Sequence, residues 1–380
     1  MSKSTRKIRA IYLDFASSAL SASSNPGAIH ELGLKEKNKL ENARATVANV
    51  LGAHSNEIIF TSGATESNNL SIFGLVRNFK KPHIVTTNIE HASVLEVCKY
   101  LERTKQAEVT YVAVEKNGII DPKKIKKALQ PNTILVSVMY ANNEIGTIQP
   151  IREIAKEIRH FNKNMQKKIF FHTDAVQAVN YLPINIAHLG VDLMSINSAK
   201  IYGPKGVGIL YVKKNTPLSP IMFGGSQEFG LRPGTENVIL AVELAKALQI
   251  AGKMKEGEVK RLTKLRNYFF KKLSKPAFDI VINGDLQNRL PNNINITIPN
   301  IPSDLLVIEL SARGIMASAK SACKAGDGKA SYVIKAINEE IKETDGSLRF
   351  SLGRQTTKAD IDHTIKALSE ILTKLKKWYN

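Results

Sequence analysis

The 380-residue chain is predicted to have an α/β fold, with a mostly parallel sheet in a large domain and a smaller C-terminal α+β domain. From about residue 56 to residue 212, short apolar runs alternate with amphipathic helix-like runs, a pattern that favours a mostly parallel sheet. A long amphipathic segment, residues 256–273, then leads into a C-terminal part that ends in a helical pattern. We therefore expect a large domain of residues 14–255 and a small domain of residues 256–380 together with residues 1–13.

The predicted elements follow from local periodicity. The strand-like runs of the large domain are rich in aliphatic and β-branched residues and cover residues 57–60, 84–86, 109–114, 134–139, 169–172, 193–196 and 208–212. Residues 151–161 show the helix period between two of them. In the small domain, strands are predicted near Ile280 and at residues 293–298, and a helix at about residues 358–378.

Composition and charge exclude several classes of protein. Hydrophobic residues make up 43% of the chain, an ordinary share for a globular protein, and no stretch has the 18 uninterrupted apolar residues of a membrane span. The basic residues 1–9 are not followed by an apolar signal stretch, so we expect a cytoplasmic protein without a membrane partner. With only two cysteines, Cys98 and Cys323, a disulfide framework is not expected.

The formal net charge of +20, from 54 basic and 34 acidic residues, could attract tRNA, an acidic protein or an anionic surface. However, much of the excess is lysine spread along predicted helices, and no compact basic stripe with interleaved aromatic residues is present. We therefore expect no direct nucleic-acid binding.

The most informative pair of residues is Asp174 and Lys200. Asp174 ends an apolar strand-like run, and Lys200 lies in a short polar loop further along the chain. Pyridoxal 5'-phosphate (PLP) chemistry requires this combination, because the cofactor is held on a lysine as a Schiff base and a carboxylate keeps its pyridinium nitrogen protonated. Either residue alone would be uninformative, since a single Asp is usually a cap and a single Lys is usually solvated.

Other polar segments also follow predicted strands. Residues 61–69 (TSGATESNN) place small residues at a strand-to-helix turn, where backbone N–H groups and a helix N-terminus can hold a phosphate. His91 follows the next strand, where an imidazole could stack on a flat cofactor and carry protons. Asn142 and Asn143 follow another strand and could bond a phenolic oxygen or a carboxylate. Taken singly, these segments would be a capped helix, a loop histidine and a turn.

Taken together, these motifs resemble the cysteine desulfurases of the NifS/IscS type, in the class-V aminotransferase group of fold type I PLP enzymes. The resemblance runs through nearly the whole chain. It is carried by residues 12–14, 25–26, His30, Gly33, 61–69, 90–91, 142–146, 172–177, 191–195, 202–206, 224–225, 227–228, Arg232, 234–237, 321–323 and 348–354.

The resemblance implies PLP as cofactor, L-cysteine as substrate and no metal. It implies a role for each matching position of this chain. Lys200 carries the cofactor, Asp174 pairs with its pyridinium nitrogen and Gln177 bonds its phenolic oxygen. His91 stacks on its ring and acts as acid or base, Ala64 and Thr65 hold its phosphate, and Asn143 and Arg349 take the substrate carboxylate. Thr235 would reach the phosphate of a neighbouring subunit, which implies a homodimer.

Cys323 is the implied nucleophile, which would take the substrate sulfur as a persulfide. A thiolate is also what the chemistry needs, and the polar, lysine-rich segment around Cys323 favours a thiolate. The family implies that this sulfur passes to an acceptor protein, either a scaffold for iron–sulfur cluster assembly or a tRNA-thiolation enzyme. By contrast, Cys98 lies in a helix-like apolar pattern and is expected to be buried and inert.

The chain departs from the family pattern near the lysine. The family has Ser-x-His-Lys where this chain has Asn197, Ser198, Ala199 and Lys200, so we expect Asn197 or Ser198 to take over the phosphate contact. Lys320 replaces a family glycine and could alter the motion of the cysteine loop or the pKa of its thiol. Three alternatives therefore stay open: a selenocysteine lyase, another class-V PLP enzyme such as an aminotransferase, and a scaffold subunit with weakened catalysis.

Overall fold

The structure is a computed structural model that describes residues 13–14, 16–18, 24–163, 168–274, 279–319, 331–342 and 344–379. Seven strands form one large sheet: β1 (Ile58–Thr61), β2 (His83–Thr87), β3 (Glu108–Val112), β4 (Thr133–Ser137), β5 (Phe170–Asp174), β6 (Leu193–Asn197) and β7 (Gly208–Val212). Their order is β1-β7-β6-β5-β4-β2-β3. The predicted strands of the large domain are thus all present.

The sheet is parallel from β3 through β2, β4 and β5 to β6, while β7 pairs antiparallel with both β6 and β1. This arrangement confirms the predicted α/β class with a mostly parallel sheet. Strands β2, β4 and β5 are buried along their whole length, as expected for parallel strands that helices cover on both faces.

The helices lie between and around these strands. They are α1 (Glu31–Leu51), α2 (Ala64–Val76), α3 (Ala92–Arg103), α4 (Pro122–Ala128), α5 (Ile151–Asn162), α6 (Ile186–Leu189), α7 (Val238–Leu273), α8 (Ser303–Ser311), α9 (Tyr332–Ile337) and α10 (Lys358–Tyr379). In α5 the buried residues Ile151, Ile154, Ala155 and Ile158 recur at helical spacing, which explains why the predicted helix forms here.

Helix α7 is much longer than predicted, since it begins at Val238 instead of near residue 256. Asn237 starts it by accepting a hydrogen bond from the Leu240 backbone N–H, and its first half packs on α1. Gly252 and Gly257 both lie inside the helix, and a side chain at either position would meet open space. The predicted domain boundary at residue 255 therefore falls inside one continuous helix.

Three further strands, β8 (Val281–Ile282), β9 (Asn293–Ile298) and β10 (Gly346–Ser351), form a separate antiparallel sheet. The second half of α7, α8 and α10 enclose it, and buried residues such as Phe269, Ile296, Leu348 and Ile371 form their own apolar cluster. Helix α9 packs on the large sheet instead, because Val333, Ile334 and Ile337 are part of the apolar cluster of that sheet.

No helix among the described residues is long and apolar enough to cross a membrane.

Candidate active site

A cavity of about 420 Å³ opens where the parallel strands of the large sheet end. Its lining includes most of the site residues predicted from the sequence. Those residues are Ala64, Thr65, His91, Asn143, Asp174, Gln177, Asn197, Lys200 and Arg349; further lining residues include Ser93, Met139, Asn180, Tyr181, Tyr202, Asn292 and Leu352. Ligands of parallel α/β sheets bind at this edge because the loops after each strand converge there.

The Asp174 carboxylate is held from two sides at the end of β5. Its Oδ2 atom accepts a hydrogen bond of 2.8 Å from Asn68 Nδ2, and its Oδ1 atom accepts one of 3.0 Å from the Val176 backbone N–H. Asp174 is 5% exposed. A carboxylate fixed in this way presents its charge to the cavity in one orientation.

Asn68 was not predicted as a site residue, although it connects two that were. Its amide nitrogen also donates to Ser93 Oγ at 2.8 Å, and Ser93 Oγ lies 2.8 Å from His91 Nδ1. The chain of contacts therefore runs from Asp174 through Asn68 and Ser93 to His91. The Asn68–Asp174 contact joins residues 106 positions apart, so only the folded sheet reveals it.

His91 caps the N-terminus of α3. Its Nδ1 atom accepts a hydrogen bond of 3.1 Å from the Ser93 backbone N–H. Because Nδ1 acts as an acceptor, the proton of the neutral imidazole is on Nε2. The ring lines the cavity, so this proton is available to a bound group.

The neighbouring Glu90 is fully buried and was not predicted either. Its Oε1 atom accepts hydrogen bonds from Thr87 Oγ1 at 2.7 Å and from the Met139 backbone N–H at 2.9 Å. Burial, with a smaller contribution from the nearby Asp174 charge, raises the pKa of Glu90 to about 8. The raised pKa favours the protonated, neutral form of Glu90 at pH 7, and its hydrogen bonds tie the end of β2 to the end of β4.

Lys200 ends a short 3-10 turn, Ser198–Lys200, that follows β6. Asn197 caps this turn, since its Oδ1 atom accepts from the Ala199 backbone N–H at 3.3 Å. The Lys200 carbonyl accepts a hydrogen bond of 2.7 Å from Asn180 Nδ2. Ser198 is buried and does not line the cavity. Its Oγ atom packs against Gly203, where an added Cβ would lie only 2.3 Å from that oxygen.

The loop before α2 leaves a helix N-terminus facing the cavity. Gly63 caps α2 without a side-chain hydrogen bond, and Ala64 and Thr65 line the cavity directly after it. A Cβ on Gly208 would lie 2.7 Å from the Gly63 backbone, so the absence of a side chain there allows β7 to approach this turn. Uncapped N–H groups at a helix N-terminus suit an anion.

Arg349 and Asn143 carry unused hydrogen-bonding capacity. Arg349 lies on β10, and its Nη1 atom donates to the Asn143 carbonyl at 3.1 Å. The Arg349 Nε atom and the Asn143 Oδ1 atom are buried without a hydrogen-bond partner. Burial lowers the pKa of Arg349, with the Glu144 carboxylate opposing the shift. A buried guanidinium with an unused N–H is suited to a planar carboxylate.

Two of the predicted residues that the structure describes, Ser198 and Thr235, do not line this cavity. Thr235 is exposed on the segment that follows Arg232, and Arg232 Nε donates to Glu66 Oε1 at 3.1 Å. Cys323 lies outside the described residues, as does Lys320. Cys98 is 0% exposed, and burial raises the pKa of its thiol to about 12, in agreement with the inert role expected of it. Among the described residues, no group of three or more His, Cys, Asp or Glu side chains could hold a metal ion.

Comparison with known proteins places the chain in a family. The class-V aminotransferase family model matches residues 4–364. Cysteine desulfurase IscS of Dictyoglomus turgidum is 45% identical over 93% of this chain and 88% of the relative, and that of Methanosarcina thermophila is 42% identical over 93% and 86%.

Solved structures agree with these relatives. A NifS-like protein superposes with a TM-score of 0.85 at 36% identity, over 93% of this chain and 92% of the other. SspA in complex with cysteine gives a TM-score of 0.74 at 34% identity, over 89% and 92%. With these matches and the cavity residues described above, the chain belongs to the class-V aminotransferase family, within its cysteine desulfurases.

Proposed function

We propose that the protein is a PLP-dependent cysteine desulfurase that converts L-cysteine into L-alanine and leaves a persulfide on Cys323. The observation that carries the proposal is the meeting of Lys200, Asp174, His91 and Arg349 in one cavity. Membership of the family and the complex of the structural relative SspA with cysteine support this choice of substrate.

The cavity residues fit PLP. A fixed carboxylate, a lysine and an uncapped helix N-terminus all line one space of about 420 Å³. We assign Lys200 to the covalent bond with the cofactor, Asp174 to its ring nitrogen and Gln177 to its phenolic oxygen. Ala64, Thr65 and Asn197 would hold the phosphate. When bound, the cofactor supplies a sink for the electrons of the substrate α-carbon.

Arg349 and Asn143 would bind the substrate through its carboxylate and its amine. The unpartnered Nε of Arg349 and Oδ1 of Asn143 are buried at the cavity, and a buried polar group without a partner is costly unless a ligand satisfies it. The carboxylate would take the Arg349 N–H, and the substrate amine could donate to the Asn143 oxygen. Together the two residues orient the cysteine.

His91 would transfer protons to and from the substrate. The hydrogen bonds at Nδ1 fix the ring and place the proton of the neutral form on Nε2. An imidazole of this kind can give a proton to one position of the substrate and take one from another near neutral pH. The Asn68–Ser93 contacts link its orientation to that of Asp174.

The Cys323 thiolate would attack the sulfur of the bound cysteine. A sulfur–sulfur bond then forms while the carbon–sulfur bond breaks, and the carbon that loses sulfur takes a proton. The products are L-alanine and a cysteine persulfide, so no external oxidant or reductant is needed.

The flanks of the Cys323 segment support this assignment. On one side, Ser318 pairs with Arg349 through two backbone hydrogen bonds. On the other side, Tyr332 donates to the Glu90 carbonyl at 2.6 Å. Both flanks are therefore attached to segments that carry cavity residues.

We further propose that the active form is a homodimer and that the persulfide passes to an acceptor protein for iron–sulfur cluster assembly or tRNA thiolation. Thr235 is exposed and absent from the cavity of its own chain, which fits a role at the phosphate of a second subunit. A reactive thiol suits the reducing cytoplasm, where we place the reaction.

The test is turnover of L-cysteine, with alanine and sulfide measured in the presence and absence of PLP. We expect a yellow protein whose absorbance borohydride removes, and Lys200→Ala should abolish both colour and turnover. Cys323→Ala should keep the cofactor and still bind L-cysteine but yield almost no alanine, and Cys98→Ala is its matched control.

A brief exposure of the wild type to L-cysteine should add one sulfur to the peptide that contains Cys323. Mass spectrometry that places this sulfur on Cys98, or a Cys323→Ala variant with normal turnover, would contradict the nucleophile. A colourless protein that PLP cannot reconstitute would contradict the enzyme. Parallel assays with L-selenocysteine distinguish a cysteine desulfurase from a selenocysteine lyase.

A further inference from the structure

We infer that Tyr202 and Arg354 form a positioning contact that fixes the strand carrying Arg349 against the turn carrying Lys200. The inference builds on the proposed function, since it assigns to this contact the alignment of the substrate carboxylate with the cofactor-binding lysine. Tyr202 lies two residues after Lys200, and Arg354 lies three residues after the end of β10.

The contact joins the two segments by two interactions. The Arg354 guanidinium carbon lies 3.9 Å from the centroid of the Tyr202 ring. In addition, the Arg354 backbone N–H donates to Tyr202 Oη at 3.1 Å. Since an arginine stacked on an aromatic face gains both cation–π and planar packing energy, the ring is held by a side chain and a main chain at once.

The segment on the Arg354 side is itself firmly attached. Arg261 of α7 donates to the Gly353 carbonyl at 2.8 Å and to the Thr356 carbonyl at 2.7 Å. The Leu352 backbone N–H donates to the Asn292 carbonyl at 2.8 Å. The Gly353 backbone also passes close to the ring, since a Cβ added there would lie 3.2 Å from Tyr202 Oη, which is tighter than an ordinary contact. The Tyr202 ring therefore rests on a fixed surface.

The backbone conformation of Tyr202 indicates that its side chain has a structural or functional role. Tyr202 has a φ of 64°, a left-handed conformation that is unfavourable for a bulky residue and natural for glycine. The ring is also 53% exposed, so burial of an apolar side chain does not explain it. Strained residues of this kind persist where the surrounding structure holds them, often at functional sites.

Both ends of the contact adjoin the cavity. Tyr202, Ser351 and Leu352 line it together with Lys200 and Arg349, whereas Arg354 does not line it. Arg354 therefore acts through Tyr202 and is a positioning residue, not one that touches the substrate. Loss of the contact should let β10 shift relative to the Lys200 turn, which weakens binding of the carboxylate while the cofactor stays in place.

The experiment compares four variants of the holoenzyme: Tyr202→Gly, Tyr202→Leu, Arg354→Met and Arg354→Lys. Tyr202→Gly is the most informative, because glycine accepts the backbone conformation and only the ring is lost. We expect KM for L-cysteine to rise about three- to tenfold in Tyr202→Gly, Tyr202→Leu and Arg354→Met, with kcat and cofactor content nearly unchanged. Arg354→Lys should lie closer to the wild type. Tyr268→Leu is the matched control, since Tyr268 also packs against cations, Lys272 and Lys358, but does not line the cavity.

A second readout does not depend on turnover. Binding of L-alanine, followed by the change in cofactor absorbance, should weaken in the same three variants. In an Arg349→Lys background the additional effect of Tyr202→Gly should become much smaller, because two residues that act through one interaction are not additive.

The inference is overturned by unchanged KM and unchanged L-alanine affinity in Tyr202→Gly and Arg354→Met. It is also overturned by loss of cofactor or of kcat at constant KM, or by full additivity with Arg349→Lys. Failure of the proposed function looks different: the wild type itself would then release no alanine from L-cysteine. In that case the contact is still tested by thermal unfolding of Tyr202→Gly, Arg354→Met and the double variant. If the contact does not form, the effects of the two substitutions on stability should simply add.

Discussion

Asn68 is the residue that connects the carboxylate of Asp174 with the imidazole of His91. Its single amide nitrogen donates to both Asp174 Oδ2 and Ser93 Oγ, so one side chain sets the orientation of a group at the end of β5 and of a group at the N-terminus of α3. A buried residue with this position is expected to act on the cofactor without touching it.

Asn68→Ala should weaken PLP affinity about tenfold, because the charged hydrogen bond to Asp174 is lost and the carboxylate can rotate. Equilibrium dialysis or cofactor fluorescence would measure the change. Asn69→Ala is the control, since the amide of Asn69 donates to the Thr65 carbonyl of its own helix, which is apart from the Asp174 and Ser93 contacts. Equal PLP affinities of the two variants would show that Asn68 makes no contribution to cofactor binding.

Glu90 predicts a pH dependence of stability. The ordinary pKa of a glutamate is 4.5 and that of Glu90 in the folded protein is about 8. Between these values the folded state holds one more proton than the unfolded state, so the free energy of unfolding falls as pH rises, by at most about 1.4 kcal/mol per pH unit from this group. Above about pH 8 the contribution becomes constant.

Glu90→Gln should therefore lose less thermal stability than the wild type between pH 5 and pH 8, since glutamine keeps the acceptor oxygen for Thr87 and Met139 but cannot ionise. Calorimetric Tm values across this range test the expectation. The exposed Glu96, on the helix α3 that follows Glu90, provides the control substitution, Glu96→Gln. Parallel Tm curves for Glu90→Gln and the wild type would show that Glu90 is ionised throughout.

At the scale of elements, the approach of β7 to the turn before α2 determines the phosphate end of the site. A Cβ at Gly208 would meet the Gly63 backbone at 2.7 Å, and backbone cannot move aside as a flexible side chain can. Gly208→Ala should therefore push the Gly63 turn outward, destabilise the protein by about 1–3 kcal/mol and weaken PLP binding.

Gly257→Ala is the matched substitution on the exposed side of α7, where an added Cβ meets nothing within 4 Å. It should stabilise the protein by about 0.5–1 kcal/mol, because alanine loses less backbone entropy in a helix. Chemical denaturation and PLP titration of both variants provide the comparison. If Gly208→Ala bound PLP as tightly as Gly257→Ala does, the turn would have no part in holding the phosphate.

The sequence predicted the elements of the large sheet better than those around it. Buried parallel strands such as β4 and β5 contain short apolar runs, residues 134–136 and 169–171, so they stand out without any knowledge of their partners. Strand β10 was not predicted, because Arg349 interrupts its apolar pattern; that arginine faces the cavity.

The predicted cofactor and substrate residues could be named because each lies in a motif. Asn68 and Tyr202 were missed as site residues because their partners lie far along the chain, and Glu90 was missed because its contact with Met139 spans 49 positions. Tyr202, for example, meets Arg354 152 positions later, and no local pattern records such a contact. The conformations that reveal their roles, such as burial of a carboxyl or a positive φ, exist only in the folded chain.

At the scale of the whole molecule, we predict a homodimer in which Thr235 completes the site of the other subunit. The segment before Thr235 is rigidly attached to its own subunit, since the buried Glu228 carboxylate pairs with Arg44 at 2.7 Å and 2.8 Å. Phe229 beside it is 57% exposed. An anchored segment with an exposed apolar residue is suited to a contact between subunits.

Mixed dimers test this prediction. Thr235→Ala alone should remain dimeric in sedimentation but bind PLP several-fold more weakly. When Thr235→Ala subunits are combined with Lys200→Ala subunits, one site in the mixed dimer would regain both an intact lysine and an intact threonine. Tight PLP binding should return at that site. A monomer that is fully active, or mixed dimers without recovery, would place Thr235 in its own subunit's site or outside any site.

The pairing of β1 with β7 has a consequence for synthesis of the chain. The two strands are about 150 residues apart, and a ribosome that adds 5–20 residues per second needs about 8–30 s to make that stretch. Throughout this interval the apolar segment Ile58–Thr61 lacks its partner strand, which is the kind of exposed edge that aggregates. Nascent chains stalled before residue 208 should therefore depend on chaperones, and those released after residue 212 should depend on them less.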